Sequence, residues 1–144
     1  MSNSPCPVCH RYQSRSVTAD TLTVTDKDVL LIRRANEPFR NFWALPGGYV
    51  DQDETTLAAS HRELQEETGL VAVTAEFFGF YDDPDRDPKQ NINFVYVVSS
   101  FTGTPYAGDD ASECMFFPFN SLPTNLAFDH RQIIADYLLK GKRQ

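Results

Sequence analysis

GGYVDQDETTLAASHRELQEETGL, running from Gly47 to Leu70, is the stretch that decides the fold. Three of its glutamates, Glu63, Glu66 and Glu67, follow the spacing i, i+3, i+4, which places them within about a third of a helix circumference. Like charges this close destabilise an isolated helix, so helix propensity alone does not explain them. Carboxylate oxygens are ligands that Mg²⁺ and Mn²⁺ prefer. The spacing therefore indicates either an acidic surface that faces solvent or the ligands of a divalent metal.

The residues at both ends of this stretch predict where its helix begins and ends. Gly47 and Gly48 follow Pro46 and let the backbone turn sharply and come close to a ligand, because they lack a β-carbon. Asp53 is the expected N-cap, since its carboxylate can accept hydrogen bonds from the first turn. Gly69 is expected to end the helix in the left-handed conformation.

Restricted residue types at fixed spacing continue through the whole stretch. Five residues separate Gly48 from Glu54, and seven more precede Arg62. The order resembles the signature of the Nudix hydrolases, which is far more specific than a lone glycine-rich loop. The matching positions are Gly48, Glu54, Arg62, Glu63, Leu64, Glu66, Glu67, Gly69 and Leu70.

This resemblance implies an α+β protein with the Nudix-type α/β/α sandwich around a mixed β-sheet. A length of 144 residues fits one domain, and we divide the chain into a lead segment, residues 1–16, and a Nudix domain, residues 17–144. Loose alternation at 17–24 and the apolar run 29–32 predict two strands that pair with each other. A closing helix is expected after a cap at Asp129.

The resemblance also implies a metal site and its chemistry. Mg²⁺ is the expected ion and Mn²⁺ the alternative. A bound metal would activate a water molecule that attacks the diphosphate of the substrate. Arg62, grouped with the catalytic residues, is expected to hold carboxylates in place through ion pairs. The expected metal ligands are Glu63, Glu66, Glu67 and the Gly48 carbonyl, with Glu54 either on the metal or behind its ligands.

A second acidic loop extends from Ala107 to Glu113. Its position resembles the place where Nudix enzymes supply a further carboxylate as a metal ligand or a base. Glu113 is the predicted residue. Asp109 and Asp110 are alternatives, and aspartates beside glycine are also ordinary turn residues.

Candidate substrate contacts precede the Nudix stretch. Arg33 and Arg34 leave a strand, and guanidinium groups match phosphate bidentately, so both a diphosphate clamp and a solvated strand end stay open. Trp43 is a candidate surface for stacking a nucleobase, although aromatic side chains more commonly pack in the core. Both predictions assume that the substrate is a nucleotide-type small molecule.

The loop after the next strand narrows the substrate class. Prolines and aspartates at 82–91 predict a loop long enough to fold over a site. Its Arg86-Asp87-Pro88, preceded by Tyr81, resembles the loop of Nudix ADP-ribose pyrophosphatases. In that subgroup the next basic residue is typically arginine, whereas here it is Lys89. Tyr81, Arg86 and Asp87 are therefore the predicted substrate contacts.

Three functions remain in competition. The first is a metal-dependent pyrophosphatase that acts on ADP-ribose or another ADP-sugar. The second is a nucleoside triphosphate pyrophosphohydrolase with the same fold, acting on damaged or signalling nucleotides. The third is a nucleotide-sensing regulator, which predicts binding without turnover and is disfavoured by the full set of carboxylates.

Composition bounds the partners and the compartment. The net charge of −7 and the pI near 4.8 disfavour nucleic acid and anionic membranes as partners. No apolar run approaches the roughly 18 residues of a membrane span, and the N-terminus lacks the order of a secretory signal. We therefore expect a cytoplasmic protein, and the sequence leaves open whether two copies form a homodimer.

The lead segment contains Cys6-Pro-Val-Cys9-His10. Tetrahedral zinc needs four ligands, and this motif supplies three at most, so Cys114 or a second chain would have to complete a Zn²⁺ site. An unmetallated segment is the favoured reading. Three cysteines, an odd number, do not suggest a secreted disulfide framework.

Overall fold

The computed structural model describes residues 3–141. Two sheets and two long helices make up the body of the protein. The strands are β1 (Val17–Thr23), β2 (Asp28–Arg34), β3 (Trp43–Ala44), β4 (Gly47–Tyr49), β5 (Val71–Tyr81), β6 (Ile92–Thr102) and β7 (Ala111–Pro118). The helices are α1 (Thr56–Thr68) and α2 (His130–Gly141), and a 3-10 turn spans Pro84–Arg86.

The strands divide between a mixed sheet and an antiparallel sheet. In the mixed sheet the order is β4-β1-β6-β5, with β1 parallel to β6, and in the second sheet it is β3-β2-β7. The predicted pairing of β1 with β2 was wrong, because only an isolated bridge between Val24 and Val29 joins them. The hydrogen-bonding edges of β1 are taken by β4 and β6, and those of β2 by β3 and β7.

Alternation along β2 places a helix on each side of the sheets. Leu30 packs in one buried cluster with Leu64 of α1, whereas Leu31 packs in another with Ile133 of α2. Neighbouring side chains of a strand point to opposite faces, so the two helices lie on opposite sides of β2. The predicted α+β class with a mixed sheet between helices is confirmed.

Local chemistry sets the ends of α1. The hydroxyl of Thr55 accepts a hydrogen bond from the amide of Ala58 at 3.0 Å and forms the N-cap. The prediction of Asp53 as the cap was wrong, because Asp53 lies two residues earlier in a turn with φ of 65°. Gly69 ends the helix as predicted, with φ of 76° and its amide bonded to the Gln65 carbonyl.

The lead segment is tied to the loop that follows β5. The guanidinium of Arg15 donates to the carbonyls of Gln90, at 2.6 Å, and Asp82, at 2.7 Å. β1 begins at Val17, where the predicted domain begins, but the division of the chain into two parts stays a prediction. Neither α1 nor α2 has the length and apolar character of a membrane span.

Candidate active site

The acidic side chains of α1 and its approach gather around Arg62. The guanidinium binds Glu54 through two hydrogen bonds of 2.7 and 3.0 Å. One further nitrogen donates to Glu63 at 2.9 Å and to Glu66 at 3.2 Å. The Tyr49 carbonyl accepts from the same guanidinium at 3.0 Å, which ties the cluster to β4. Arg62 thus holds three carboxylates together that would otherwise repel one another.

Glu67 takes a different position, with its side chain buried beneath the glycine turn. Its carboxylate accepts a hydrogen bond from the Gly47 amide at 2.8 Å. Burial raises the pKa of Glu67 well above its ordinary value, and burial likewise raises the pKa of Glu63. In contrast, hydrogen bonds from Arg62 lower the pKa of Glu54 to about 2. The carboxylates of this cluster therefore differ in how readily they take up a proton.

The close approach of Gly48 to α1 is what brings backbone and carboxylate together. A β-carbon on Gly48 would lie only 2.5 to 2.8 Å from the carboxylate atoms of Glu63, so any side chain here would displace that carboxylate. A backbone carbonyl beside glutamates is an oxygen donor set that suits Mg²⁺ or Mn²⁺. Within residues 3–141, no three acidic, histidine or cysteine side chains converge as a ready-made metal site. Arg62 instead contacts Glu54, Glu63 and Glu66 in this arrangement.

A cleft runs from this cluster across β1 and β4. Its acidic side is lined by Glu63, Glu67 and Asp110, and its far side by Asp20, Asp87, Asn91, Arg86, Phe128 and His130. The two sides are joined by five residues that line both of them: Arg34, Gly47, Gly48, Tyr49 and Lys89. Two cations, Arg34 and Lys89, therefore lie between the acidic side and the far side of the cleft, which is a suitable environment for a diphosphate.

The two neighbouring arginines of β2 have different surroundings. Arg34 lines the cleft, donates to the Pro38 carbonyl at 2.8 Å and places its guanidinium 5.1 Å from the centre of the Phe128 ring. Arg33 instead forms an ion pair of 3.0 Å with Glu113, and both side chains are about half exposed. The structure brings Arg34 into the cleft and leaves Arg33 outside it.

The second acidic loop also contributes a different residue from the predicted one. Asp110 lines the acidic side of the cleft and accepts a hydrogen bond from the Asn36 amide group at 3.1 Å. The negative charge of Asp109 is near enough to contribute to the raised pKa of Glu63, after burial and the neighbouring Glu66. Glu113, in contrast, is engaged with Arg33. The alternatives Asp109 and Asp110 are therefore better placed than Glu113.

Arg86 and Asp87 line the far side of the cleft, but both are almost fully buried. Arg86 donates two hydrogen bonds to Asp129, at 2.7 and 2.9 Å, and one to the Asn91 carbonyl. Asp129 stands directly before α2, at the predicted cap position, and its backbone carbonyl accepts from the Ile133 amide at 3.0 Å, while its carboxylate is engaged with Arg86. Asp87 accepts from the amide of Lys89 at 2.8 Å and shapes the turn of the loop.

Two predicted substrate contacts lie outside the cleft. The hydroxyl of Tyr81 donates to Asp136 of α2 at 2.8 Å, and burial raises the pKa of Tyr81. Trp43 packs edge to face on Phe117, with ring centres 4.7 Å apart, at the rim of the core cluster that includes Ile133. In the structure both side chains pack against the core.

Sequence patterns did not identify several residues that line the cleft. Asp20 lies within the alternating strand β1, where a polar residue is expected to face solvent, yet it is buried. Phe128 supplies the aromatic surface of the cleft from an irregular segment with φ of 52°. No local sequence pattern indicates that Asp20 lines the cleft. Asp20 lies beside Gly47 only because β1 pairs with β4.

The side chains of Cys6 and Cys9 lie within hydrogen-bonding distance of each other, whereas Cys114 lies on β7. Hydrogen bonds from the Cys9 and Val8 amides lower the pKa of the Cys6 thiol. Cys114 is half-buried on β7 beside the core, and burial raises the pKa of its thiol to about 11. The described part of the chain contains no three-residue metal cluster that includes Cys6 and Cys9, and zinc binding there stays a prediction.

Comparison with known proteins identifies the family. The NUDIX domain profile matches residues 14–137. The chain is 44% identical over 128 residues to the ADP-ribose pyrophosphatase of Methanocaldococcus jannaschii, an alignment covering 88% of this chain and 75% of that protein.

Solved structures show the same fold. The NUDIX domain of Shewanella oneidensis NrtR complexed with ADP ribose matches with a TM-score of 0.79 and 26% identity over 89% of each chain. A bifunctional NMN adenylyltransferase/ADP ribose pyrophosphatase from Francisella tularensis, complexed with AMP and a manganese ion, matches with a TM-score of 0.73 and 30% identity. That alignment covers 89% of this chain but 42% of the Francisella chain. The profile match over most of the sequence, together with these relatives, shows that the protein belongs to the NUDIX domain family.

Proposed function

We propose that the protein is a metal-dependent pyrophosphohydrolase that cleaves the diphosphate of ADP-ribose or of another ADP-sugar. The observation that carries the proposal is the cleft in which Arg34 and Lys89 lie between the glutamates of α1 and the Arg86-Asp87 loop. The 44% identity to an ADP-ribose pyrophosphatase supports the same substrate class.

NUDIX hydrolases generally use divalent metals, and the donor set of this cleft fits one. Glu63, Glu66, Glu67 and the Gly48 carbonyl would hold it, with Glu54 close behind. When bound, the cation neutralises charge on the diphosphate and lowers the pKa of a bound water. We propose Mg²⁺ as the ion, with Mn²⁺ as the alternative.

The side chains around this site have separate tasks in the proposal. Arg62 holds Glu54, Glu63 and Glu66 in place and does not touch the substrate. Arg34 and Lys89 bind the diphosphate, since both line the two sides of the cleft. Asp110 is the proposed base in place of Glu113, because Asp110 faces the cleft and Glu113 is engaged with Arg33.

A substrate panel tests the function. The purified protein is incubated with Mg²⁺ or Mn²⁺ and with ADP-ribose, other ADP-sugars, and canonical and oxidised nucleoside triphosphates. We expect AMP and ribose 5-phosphate from ADP-ribose, measured by chromatography. Activity on triphosphates alone would replace the proposal with a triphosphate pyrophosphohydrolase. Tight binding of ADP-ribose without products would indicate a sensor of that nucleotide.

A further inference from the structure

A buried polar chain on the far side of the cleft lies outside the proposed set of metal ligands. Asp20, Asn93 and His130 are each less than a tenth exposed. One carboxylate oxygen of Asp20, Oδ2, accepts a hydrogen bond from Asn93 Nδ2 at 2.8 Å and lies 3.0 Å from His130 Nε2. His130 Nδ1 in turn accepts from the Leu45 amide at 3.0 Å. Because it accepts from an amide, Nδ1 carries no proton in this arrangement, and Nε2 is the ring nitrogen that faces Asp20.

The other carboxylate oxygen, Asp20 Oδ1, is left free to meet a ligand. Within residues 3–141 it accepts no hydrogen bond, yet it is not among the polar atoms sealed from solvent. It adjoins the glycine turn, because a β-carbon on Gly47 would come within 1.8 Å of it. Asp20 and Gly47 both line the cleft, so the accessible surface of this oxygen opens into it. A carboxylate held by two donors on one oxygen is a fixed acceptor on the other.

The surroundings of Oδ1 favour a hydroxyl group over a phosphate. Thr18 and Asn91 line the same part of the cleft, and Asn91 also donates to the Tyr49 hydroxyl at 3.2 Å. Asp20 and Asp87 both line this part of the cleft, so a phosphate there would face two carboxylates, while the nearby guanidinium of Arg86 is engaged with Asp129. The cations that suit phosphate, Arg34 and Lys89, line both sides of the cleft and so lie where the two sides meet. Hydroxyl groups of a sugar donate to carboxylates and match this lining.

We propose that Asp20 Oδ1 accepts a hydrogen bond from a ribose hydroxyl of the substrate and so selects ribonucleotide sugars over their deoxy forms. The inference rests on the proposed function, since it places the diphosphate on Arg34 and Lys89. Asn93 and His130 are positioning residues in this arrangement, because they fix the rotation of the Asp20 carboxylate. The remaining question is which ribose, that of the adenosine or the terminal one, supplies the hydroxyl.

The substitution Asp20→Asn separates this role from a purely structural one. The carboxamide oxygen of asparagine can still accept from Asn93 and His130, while its NH₂ group replaces the free acceptor that faces the cleft. Asp26→Asn is the matched control, since it removes an exposed carboxylate beside the β1–β2 turn. Thermal unfolding of both variants checks that each is folded.

Three deoxy analogues of ADP-ribose serve as probes: one lacks the adenosine 2′-hydroxyl, one lacks the adenosine 3′-hydroxyl and one carries a terminal 2-deoxyribose. We expect the unmodified protein to prefer ADP-ribose over one of them by about tenfold or more in kcat/KM, as for a lost hydrogen bond to a charged group. In Asp20→Asn that preference should shrink to about twofold or less, whereas Asp26→Asn keeps it. The analogue that shows the effect identifies the ribose.

Two results would overturn the inference. One is an unmodified protein that cleaves all three analogues as well as ADP-ribose, a result that does not depend on any variant folding. The other is an Asp20→Asn variant that slows every substrate by the same factor, which is the signature of a structural role alone. If the unmodified protein cleaves no ADP-sugar, the proposed function fails instead. Calorimetric binding of ADP-ribose and its analogues to both forms would then still decide the role of Asp20.

Discussion

Arg62 stands where a cation is expected. Its guanidinium contacts Glu54, Glu63 and Glu66 at 2.7 to 3.2 Å, and thereby offsets the repulsion of carboxylates on one face of α1. The side chain of Glu66 is 43% exposed, whereas those of Glu54 and Glu63 are 15% exposed. Glu66 is thus the carboxylate that can turn toward a metal with least disturbance to the others.

We therefore expect Glu66→Gln to remove turnover and leave folding nearly intact. The amide keeps the size of the side chain, but loses the charge that binds the metal, and even the loss of a contact behind metal ligands typically lowers activity about 10–100-fold. Steady-state kinetics with Mg²⁺ and thermal unfolding measure the two effects. Glu76→Gln, an exposed change on β5, is the control that should alter neither. An unchanged kcat in Glu66→Gln would contradict the metal assignment.

The two glycines of the turn should fail in different ways when replaced by alanine. In Gly47→Ala the new β-carbon would meet the Ala19 carbonyl at 2.5 Å, and a backbone atom cannot move aside cheaply. In Gly48→Ala it would meet only the Glu63 carboxylate, which can rotate away. We expect Gly47→Ala to lose stability and Gly48→Ala to lose activity while keeping most of its stability. Equal melting temperatures for the two variants would contradict this distinction.

The ion pair between Glu54 and Arg62 should make stability depend on acid pH. Hydrogen bonds from Arg62 lower the pKa of Glu54 from 4.5 to about 2 in the folded protein. Since the folded-state pKa is the lower one, the stabilisation is present above pH 4.5 and disappears as the pH falls toward 2. Urea unfolding without metal should therefore show Glu54→Gln less stable than the unmodified protein at pH 7. The difference should shrink below pH 4.5 and close as the pH falls to about 2; a constant difference would count against the ion pair.

At the scale of elements, a buried ion pair fastens the loop after β5 to the start of α2. Arg86 has a side chain that is 4% exposed and binds both oxygens of Asp129. Its ring contact with Phe128, at 5.8 Å, adds a further attachment to the same segment. The loop resemblance that predicted Arg86 as a substrate contact thus coincides with a structural role for this side chain.

Arg86→Met should consequently destabilise the fold by about 1–3 kcal/mol, because the carboxylate of Asp129, which is 21% exposed, would lose two charged hydrogen bonds. Adding Asp129→Asn should recover part of that loss, since the unpaired charge is then removed. Arg40→Met is the matched control, because Arg40 and Glu37 form an exposed pair at 3.7 Å. Urea unfolding of the four proteins measures these differences. A loss under 1 kcal/mol in Arg86→Met would show that the pair contributes little.

Sequence reasoning was most successful where one element determines its own features. The spacing of glutamates on α1 and the stop at Gly69 depend on residues within a few positions, and both helix and stop were predicted. The pairing of β1 depends on which distant strands compete for its edges, and there the prediction was wrong. Thr55 forms the N-cap instead of Asp53, because Thr55 has the extended backbone of a cap residue whereas Asp53 has φ of 65°.

The same limit explains which site residues could be anticipated. Glu63, Glu67 and Arg34 follow local motifs and line the cleft as expected. Asp20 and Phe128 reach the cleft only through the packing of β1, β4 and the start of α2, which no local pattern specifies. Trp43 and Tyr81 are aromatic residues beside the site in sequence, but their rings fill the core in space.

At the scale of the whole molecule, metal binding should be linked to stability. A cation that binds the folded state alone stabilises it by about 2.7 kcal/mol at a hundred times its Kd. For a domain of this size each kcal/mol corresponds to roughly 2–4 °C in Tm. We expect MgCl₂ to raise the Tm by several degrees relative to NaCl at equal ionic strength, and to do so far less in Glu66→Gln. Identical shifts in both proteins would indicate a general salt effect.

The hydrogen bonds from Arg15 to the loop after β5 predict an effect of proteolysis near the N-terminus. A protease that trimmed the chain just after Ser16 would spare every carboxylate, glycine and arginine that lines the cleft. It would nevertheless remove the hydrogen bonds that Arg15 donates to the carbonyls of Asp82 and Gln90, which lie at the two ends of the loop that carries Lys89. Loss of this N-terminal segment should therefore weaken binding of the proposed nucleotide substrate first, while the proposed hydrolytic residues stay in place.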